Sequence, residues 1–459
     1  MPAADPKNNP AVNYGGTSNS ASYRPARSID STLEHIQKKA FHYFECEVNP
    51  VNGLIRDKVG PDDRGPANWP SSIAAVGFAL ASYPVAVSRN FISREAAVER
   101  TLTTLRFFAR SAQGPETDAT GYRGFYYHFL DMQTGRRVWA CELSTVDTLL
   151  LIAGMLTCAR FFIREEPDEI EIRALADALY RRVEWDWALD RTSTLYMGWR
   201  PESGFLEPSW SGYNEALLLY ILALGSPTHP IPQNSYQAWT LGYEWKRIYD
   251  NEYLYAAALF THQYPHIWID FRGIQDAYMR EKGIAYFENS RRATYIQRQY
   301  AITNPMGFKG YSANGWGLSA SEGPGFETVL IDGVERHFFG YIARGVPYGP
   351  DDGSLTPSAV AASLPFAPEI VLPAIEYLVN DPNLHDVNPY GFRATINPTY
   401  GAKNGGTGGW ISQWHFGINQ GSVVLMIENH RSGLPWSLMR ECPYVIQGLK
   451  RAGFRGDRL

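Results

Sequence analysis

Two glutamates stand where a Trp-containing loop gives way to an apolar run. Glu215 follows Trp210-Ser211-Gly212-Tyr213-Asn214 and leads Ala216-Leu217-Leu218-Leu219-Tyr220-Ile221-Leu222. Glu142 follows Trp139-Ala140-Cys141 and leads Leu143-Ser144-Thr145-Val146-Asp147-Thr148-Leu149-Leu150-Leu151. Glycoside hydrolysis needs two carboxyls about one bond, one protonated on the leaving oxygen and one ionised. Spacing alone does not single that chemistry out, because an acid in a first helical turn also offsets the positive end of the helix dipole. That dipole lowers a carboxyl pKa, whereas a general acid needs it raised. Burial among Trp and Tyr, or a second carboxylate nearby, would have to reverse the effect. Asn214 is the expected N-cap of the second helix, with Gly225 and Pro227 closing it.

Other constellations are weaker. His262, His266 and Asp270 step at four-residue intervals, as ligands on one helix face would, but Pro265 interrupts the face and Gln263 stands where a metalloprotease motif has Glu. A sugar-binding or hydrogen-bonded core role suits these histidines better than metal. Asp351-Asp352-Gly353 reads as a turn, since the calcium-loop spacing and its terminal Glu are missing. Arg291-Arg292 reads as a structural or solvated pair. The four cysteines form no CxxC pair, and Cys141 and Cys158 read as buried thiols. No phosphate loop, dinucleotide fingerprint or nucleophile elbow occurs in a supporting context, so no metal or organic cofactor is expected.

Stepping outward to the elements that must hold these groups, helices of about 15 residues alternate with long aromatic loops. Helices are expected over 28–47, 73–87, 94–109, 143–156, 167–189, 216–225, 236–248 and from 289 or 290 to 300, with a final one from Ser422 to Asn429 containing Glu428. Gly121 to Arg137 reads as a hairpin or aromatic loop. Residues 1–28, rich in Pro, Asn, Ser and Ala, read as a flexible arm, and 29–459 as a single domain, since no linker-like break divides it. Strands and helices do not alternate regularly, which excludes a doubly wound sheet. A net charge of −5 with scattered basic residues gives no case for nucleic acid, and no apolar run is long enough to span a bilayer. The N-terminus lacks an apolar signal-peptide core, so the expectation is either the cytoplasm or, if a leader was removed, the periplasm or exterior, and the sequence does not choose between them. Nothing in the sequence sets an oligomeric state. Aromatic residues make up 14% of the chain, enough to stack on sugar faces as well as to fill a bulky core.

At this level of detail the chain resembles the bacterial glucoamylase-like domain family, whose characterised relatives include endo-β-1,2-glucanases. The resemblance rests on FHYFECEVNPVNGLIRD, CELSTVDTLLLIAG, GWRPESGF, GYNEALLLYILALGSPTHP, FTHQYPHIWIDFRGIQDAYMR, YFENSRRATYIQRQYA, GYIARGVPYGPDDGSLTPSAVAASLPFAPE, GFRATINPTY, QGSVVLMIEN and RAGFRG, which span nearly all of 35–456. It implies an all-α dominated (α/α)6 toroid, with long loops and a few short strands over one end. It implies a β-glucan substrate, most simply β-1,2-linked, with Glu215 as general acid and Glu142 as a cleft carboxylate. Three departures stand out: Asn419 replaces an Asp that serves as base in inverting relatives, Glu322 replaces an Asp in a glycine-rich loop, and Ala285 precedes YFENS where relatives have Asp. The base is therefore expected at Glu142 or Glu322. Trp210, Tyr213, His262, Gln263, Trp268, Asp270, Arg272, Trp316, Arg344 and Asn419 are the expected sugar contacts. Rival readings are a retaining glycosidase or transglucosylase, another linkage, or a carbohydrate-binding protein with a decayed site.

Overall fold

The computed structural model describes residues 28–60, 69–381, 384–385, 388–401 and 409–459. The expected N-terminal arm lies outside these, apart from Ser28, as do residues 65–68 of the loop leading to Trp69. The described residues are mostly helical. The helices are α1 (Ile29–Cys46), α2 (Ile73–Ser88), α3 (Arg94–Arg110), α4 (Thr145–Phe161), α5 (Pro167–Arg182), α6 (Leu217–Gly225), α7 (Gln233–Thr240) and α8 (Leu259–Trp268). They continue with α9 (Ala277–Lys282), α10 (Tyr286–Thr303), α11 (Pro357–Ala362), α12 (Pro368–Asn380), α13 (Gly417–Arg431), α14 (Leu434–Arg440) and α15 (Pro443–Arg451).

Serines start several of them for a common reason. The hydroxyls of Ser28, Ser72, Ser93 and Ser144 each accept a bond from a free amide of the first turn. Helices α2 and α4 are apolar all round and buried on nearly every face, as central helices must be. They cross closely: a Cβ on Gly154 would stand 2.1 Å from the Gly77 carbonyl oxygen, so glycine is required at the crossing. Helix α13 packs on α1, α2 and α11, while α3 and α5 cover the outside of α2 and α4. Helix α15 covers α6.

Short strands occupy the loop end. Five form an antiparallel sheet in the order Gly121–Tyr122, Phe125–Tyr127, Leu143–Ser144, Gly198–Arg200, Gly204–Phe205. Lys58–Val59 pairs with His415–Phe416, Ser71–Ser72 with Phe129–Leu130, and Ala320–Ser321 with Ile342–Ala343. These pairings join the starts of the inner helices. Gly417 N donates to Asp57 O, Ile73 N to His128 O, and His128 N to Glu142 O. Leu259 N donates to Leu318 O and Thr356 N to Gly317 O, so α8 and α11 start beside one loop. The N-termini of α2, α4, α6, α8, α11 and α13 thus gather at one end.

Several expected boundaries are corrected. The helix expected over 167–189 ends at Arg182 and resumes as a separate turn, Trp185–Ala188. That over 236–248 ends at Thr240, because Trp245–Ile248 turns back as a strand on Asn251–Leu254. Helix α8 runs through Pro265, which only forgoes one amide bond. The helix expected to be final begins five residues earlier, at Gly417, and two more follow it.

Candidate active site

Glu215 lies before α6, not in its first turn. Asn214 is not the cap: its Oδ1 accepts from Ala216 N at 3.0 Å and its Nδ2 donates to Ser211 O, closing a tight turn ahead of the helix. The helix begins at Leu217, with Ala216 at the cap position and no side-chain bond there. Gly212 opens the turn at φ +74°, where its amide donates to Trp239 O and a Cβ would press on Gly242. Glu215 thus precedes the helix, close enough to Tyr264 and Tyr341 for its charge to act on both. Burial, with the charge of Asp147 adding to it, raises its pKa to about 7, against one opposing backbone bond. Trp210 and Tyr213 wall the turn. The Trp210 indole donates to Thr145 Oγ1 at 3.0 Å, and Tyr213 stacks on Tyr286 with His262 beside it.

Glu142 also stands before its helix, because Leu143–Ser144 is a strand and Ser144 is the α4 cap. Strand pairing sets it beside His128, whose Nδ1 lies 2.8 Å from Glu142 Oε1 and whose Nε2 lies 3.7 Å from Asp147 Oδ2. Phe129 stacks on the imidazole at 4.0 Å. Burial disfavours the imidazolium, but Asp147 and Glu142 outweigh it and lift the pKa to about 9. Burial likewise pushes Glu142 up, yet the bond and charge from His128 bring it below its ordinary range. The two glutamates that look alike in sequence therefore differ: Glu142 is held ionised, while Glu215 keeps its proton up to near-neutral pH.

Glu322 follows the short strand Ala320–Ser321 and accepts a bond from Ser412 Oγ at 2.9 Å. Burial raises it, against Ser412, Lys58 and Arg344. Asp57 is raised by burial too, opposed by the nearby polar groups of Ser72 and Trp69 and the charges of His128 and Lys58. Tyr264 and Tyr341 stand where both Glu215 and Asp147 act on them, Tyr341 also feeling Asp57. Asn419 is buried in the first turn of α13, two residues past the amide that donates to Asp57 O.

Other expected sugar contacts lie elsewhere. Gln263 is buried and donates to Ala359 O and Ser363 Oγ, so it ties α8 to α11. Trp268 is fully buried against Phe78. Asp270 and Arg272 pair with each other past the far end of α8, where Arg440 and Arg458 also reach Asp270. Helix α8 ends six residues after His262 and Asp270 lies two residues further on, so the helix alone sets the two roughly 9 Å or more apart. Trp316 is buried. Arg344 is fully buried in a two-pronged pair with Asp352 and donates to Ser321 O, so it positions the Glu322 loop and is no subsite. His262 is neutral, pushed down to about 4 by burial, with Nε2 donating to Ala256 O. His266 bonds Ser290. Among the described residues no three His, Cys, Asp or Glu side chains converge as metal ligands. Asp351 accepts from Tyr300 and Tyr311, as a structural turn does. Arg291 and Arg292 are structural as well, bonded to Phe366 O and Glu288.

Sequence reasoning missed Asp57, His128, Asp147 and Tyr341. Asp57 and Asp147 lie inside the stretches NGLIRD and STVDT, so their motifs were visible; only folding brings His128 between two carboxylates.

A family model named Glycoamylase, described as "putative glucoamylase", matches residues 207–443. The chain belongs to this family. A curated relative, the exo beta-1,2-glucooligosaccharide sophorohydrolase (non-reducing end) of Parabacteroides distasonis, is 27% identical over 456 residues, covering 92% of this chain. The chain spans 58% of that relative's length. Among solved structures, the endo-beta-1,2-glucanase of Chitinophaga pinensis, in complex with sophorotriose and glucose, superposes with a TM-score of 0.81 at 28% identity, covering 95% of this chain and all of that one. The beta-1,2-glucanase of Parabacteroides distasonis superposes with a TM-score of 0.80 at 25% identity, covering 93% and 60% of the two chains. This glycoamylase-family chain contains no helix, among the described residues, long and apolar enough to cross a membrane.

Proposed function

We propose that this chain is a glycoside hydrolase that cleaves β-1,2-linked glucan, with Glu215 as the general acid. The observation that carries the reading is the Glu215 carboxyl, raised to about 7 in an aromatic, carboxylate-lined turn. A proton held there at neutral pH is available to the leaving glycosidic oxygen. The names of the relatives supply the linkage. The gathered starts of six inner helices, sleeved by outer ones, fit an (α/α)6 toroid formed by residues 29–459 as one domain.

The second carboxyl must take a proton from water. Glu142 is committed to His128 and ionised too firmly to be a good base. Glu322 is raised by burial and bonded to Ser412, with no charged partner at hydrogen-bond distance among the described residues, and we assign it the base. Trp210 and Tyr213 shape the sugar site beside the acid. The test is reducing-end release from linear β-1,2-glucan. Glu215→Gln should abolish it with the fold intact, and near wild-type turnover would sink the assignment.

Asn419 favours a second reading. An amide accepts no proton usefully, so the side chain at 419 supplies no water-activating group. A retaining glycosidase or transglucosylase would then use two glutamates in succession. The anomer of the first product, read by NMR, separates the two: inversion supports a water base, retention a nucleophile.

A further inference from the structure

Trp139 is the most exposed tryptophan that the fold holds in place, at 59% of its surface, and it stands three residues before Glu142. Its backbone is costly. Trp139 and Ala140 are consecutive non-glycine residues in the left-handed region, at φ +57° and +48°. Such strain persists only where the surroundings over-determine it, and here they do. Cys141 N donates to Val138 O across the turn, and Val138 N donates to Phe129 O. Arg137 Nε donates to Cys141 O at 2.6 Å, and Phe129 N donates to the buried Cys141 sulfur at 3.3 Å. The turn is pinned from both sides while its indole is presented to solvent.

The indole is also braced. Trp69 meets it near edge-on, with centroids 5.3 Å apart, and Phe129 packs at 5.2 Å. Trp414 continues the wall 5.6 Å beyond Trp69, and Lys58 Nζ sits over both Trp69 and Trp414 at 4.3 and 4.4 Å. Phe129 is the ring that stacks on His128, so the wall runs unbroken to the carboxylate cluster. A core tryptophan would be covered, and a surface one would need neither strain nor bracing. A flat, rigid, open aromatic face is what the C–H face of a pyranose ring takes.

We infer that Trp139 is the platform of an outer sugar subsite, stacking a glucosyl unit of the chain that lies beyond the bond held at Glu215. This rests on the glucan-hydrolase reading and adds where the substrate extends. Three residues reach at most about 10 Å, so the platform lies close beside Glu142. The subsite therefore acts on chains long enough to reach it and not on the shortest ones.

The experiment is calorimetric titration of β-1,2-gluco-oligosaccharides of increasing length into Glu215→Gln, alone and combined with Trp139→Ala or Trp139→Phe. The expected result is that Trp139→Ala weakens the longer chains about tenfold or more, leaves the shortest binder unchanged, and is partly rescued by Phe. Equal weakening at every length, with a lowered melting temperature, would show a structural role and overturn the subsite. Unchanged affinity at every length would overturn it too. If no length binds Glu215→Gln itself, the glucan reading fails, and the subsite with it.

Discussion

The protonated Glu215 has a thermodynamic signature that does not depend on any substrate. A carboxyl raised from 4.5 to about 7 in the folded chain costs nothing while it carries its proton in both states. Between those two values the unfolded chain releases the proton and the folded one retains it, so stability falls as pH rises through the window. Above it the penalty is constant. At 1.36 kcal/mol per unit this is at most about 3.4 kcal/mol, and solvent reaching the cleft brings it lower. Glu215→Gln keeps the shape and cannot ionise, so it removes the penalty. Melting curves of the two proteins should differ by little below pH 4.5 and diverge as pH rises, the variant melting about 3 °C higher at pH 8 for a domain of this size. The same variant should lose activity, so the stability gain and the loss of turnover come from one carboxyl. A variant less stable than the parent at pH 8, or a gap that does not change with pH, would refute the claim that burial holds the proton on Glu215.

Three further outcomes follow from the charges around the acid. His128→Gln removes the cation between Glu142 and Asp147, leaving Asp147 unbalanced beside Glu215. The alkaline limb of kcat/KM should move to higher pH, and a limb that stays or moves down contradicts the arrangement. Asn419→Asp places a carboxyl in the first turn of α13. With Glu322 already the base, hydrolysis should rise by less than about tenfold, whereas a gain of about 10²–10⁴, the usual worth of a general base, would put the base at 419 instead. Arg344→Met leaves Asp352 buried and unpaired and should cost about 3–5 kcal/mol in denaturant unfolding. A loss under 1 kcal/mol would mean that Arg344 does not hold the Glu322 loop as described.

Local information sat in the chain openly. Apolar periodicity for α1 and the apolar or amphipathic runs of α2 and α3 place these helices to within a residue or two, because such runs are properties of neighbours in sequence. What sequence could not supply was direction along a helix and partners across strands. His262 and Asp270 look adjacent when written out, yet α8 delivers them to opposite ends, so Trp268, Asp270 and Arg272 were wrongly grouped with the cleft. The resemblance sets Arg344 among the sugar contacts; its burial against Asp352 is a tertiary fact. His128 carried no signal, being fourteen residues from Glu142 and joined to it only by strand pairing.

The instructive pair is Glu142 and Glu215. Both stand ahead of a helix whose dipole favours an anion, and helix position predicts the same ionised state for both. The difference lies in the nearest charge. Glu142 faces an imidazolium at hydrogen-bond distance, which overcomes its desolvation; Glu215 faces Asp147, which adds to it. Asp147 therefore acts on both: it helps to keep His128 charged, hence Glu142 ionised, and it helps to keep Glu215 neutral. One carboxylate in the first turn of α4 thus supports opposite states in two neighbours, on top of the burial that raises Glu215 and the His128 contact that lowers Glu142. Replacing Asp147 with Asn should blunt both settings at once, bringing the Glu215 limb down in pH and the His128 titration down with it. A change in only one of them would show that the two are not coupled through this residue.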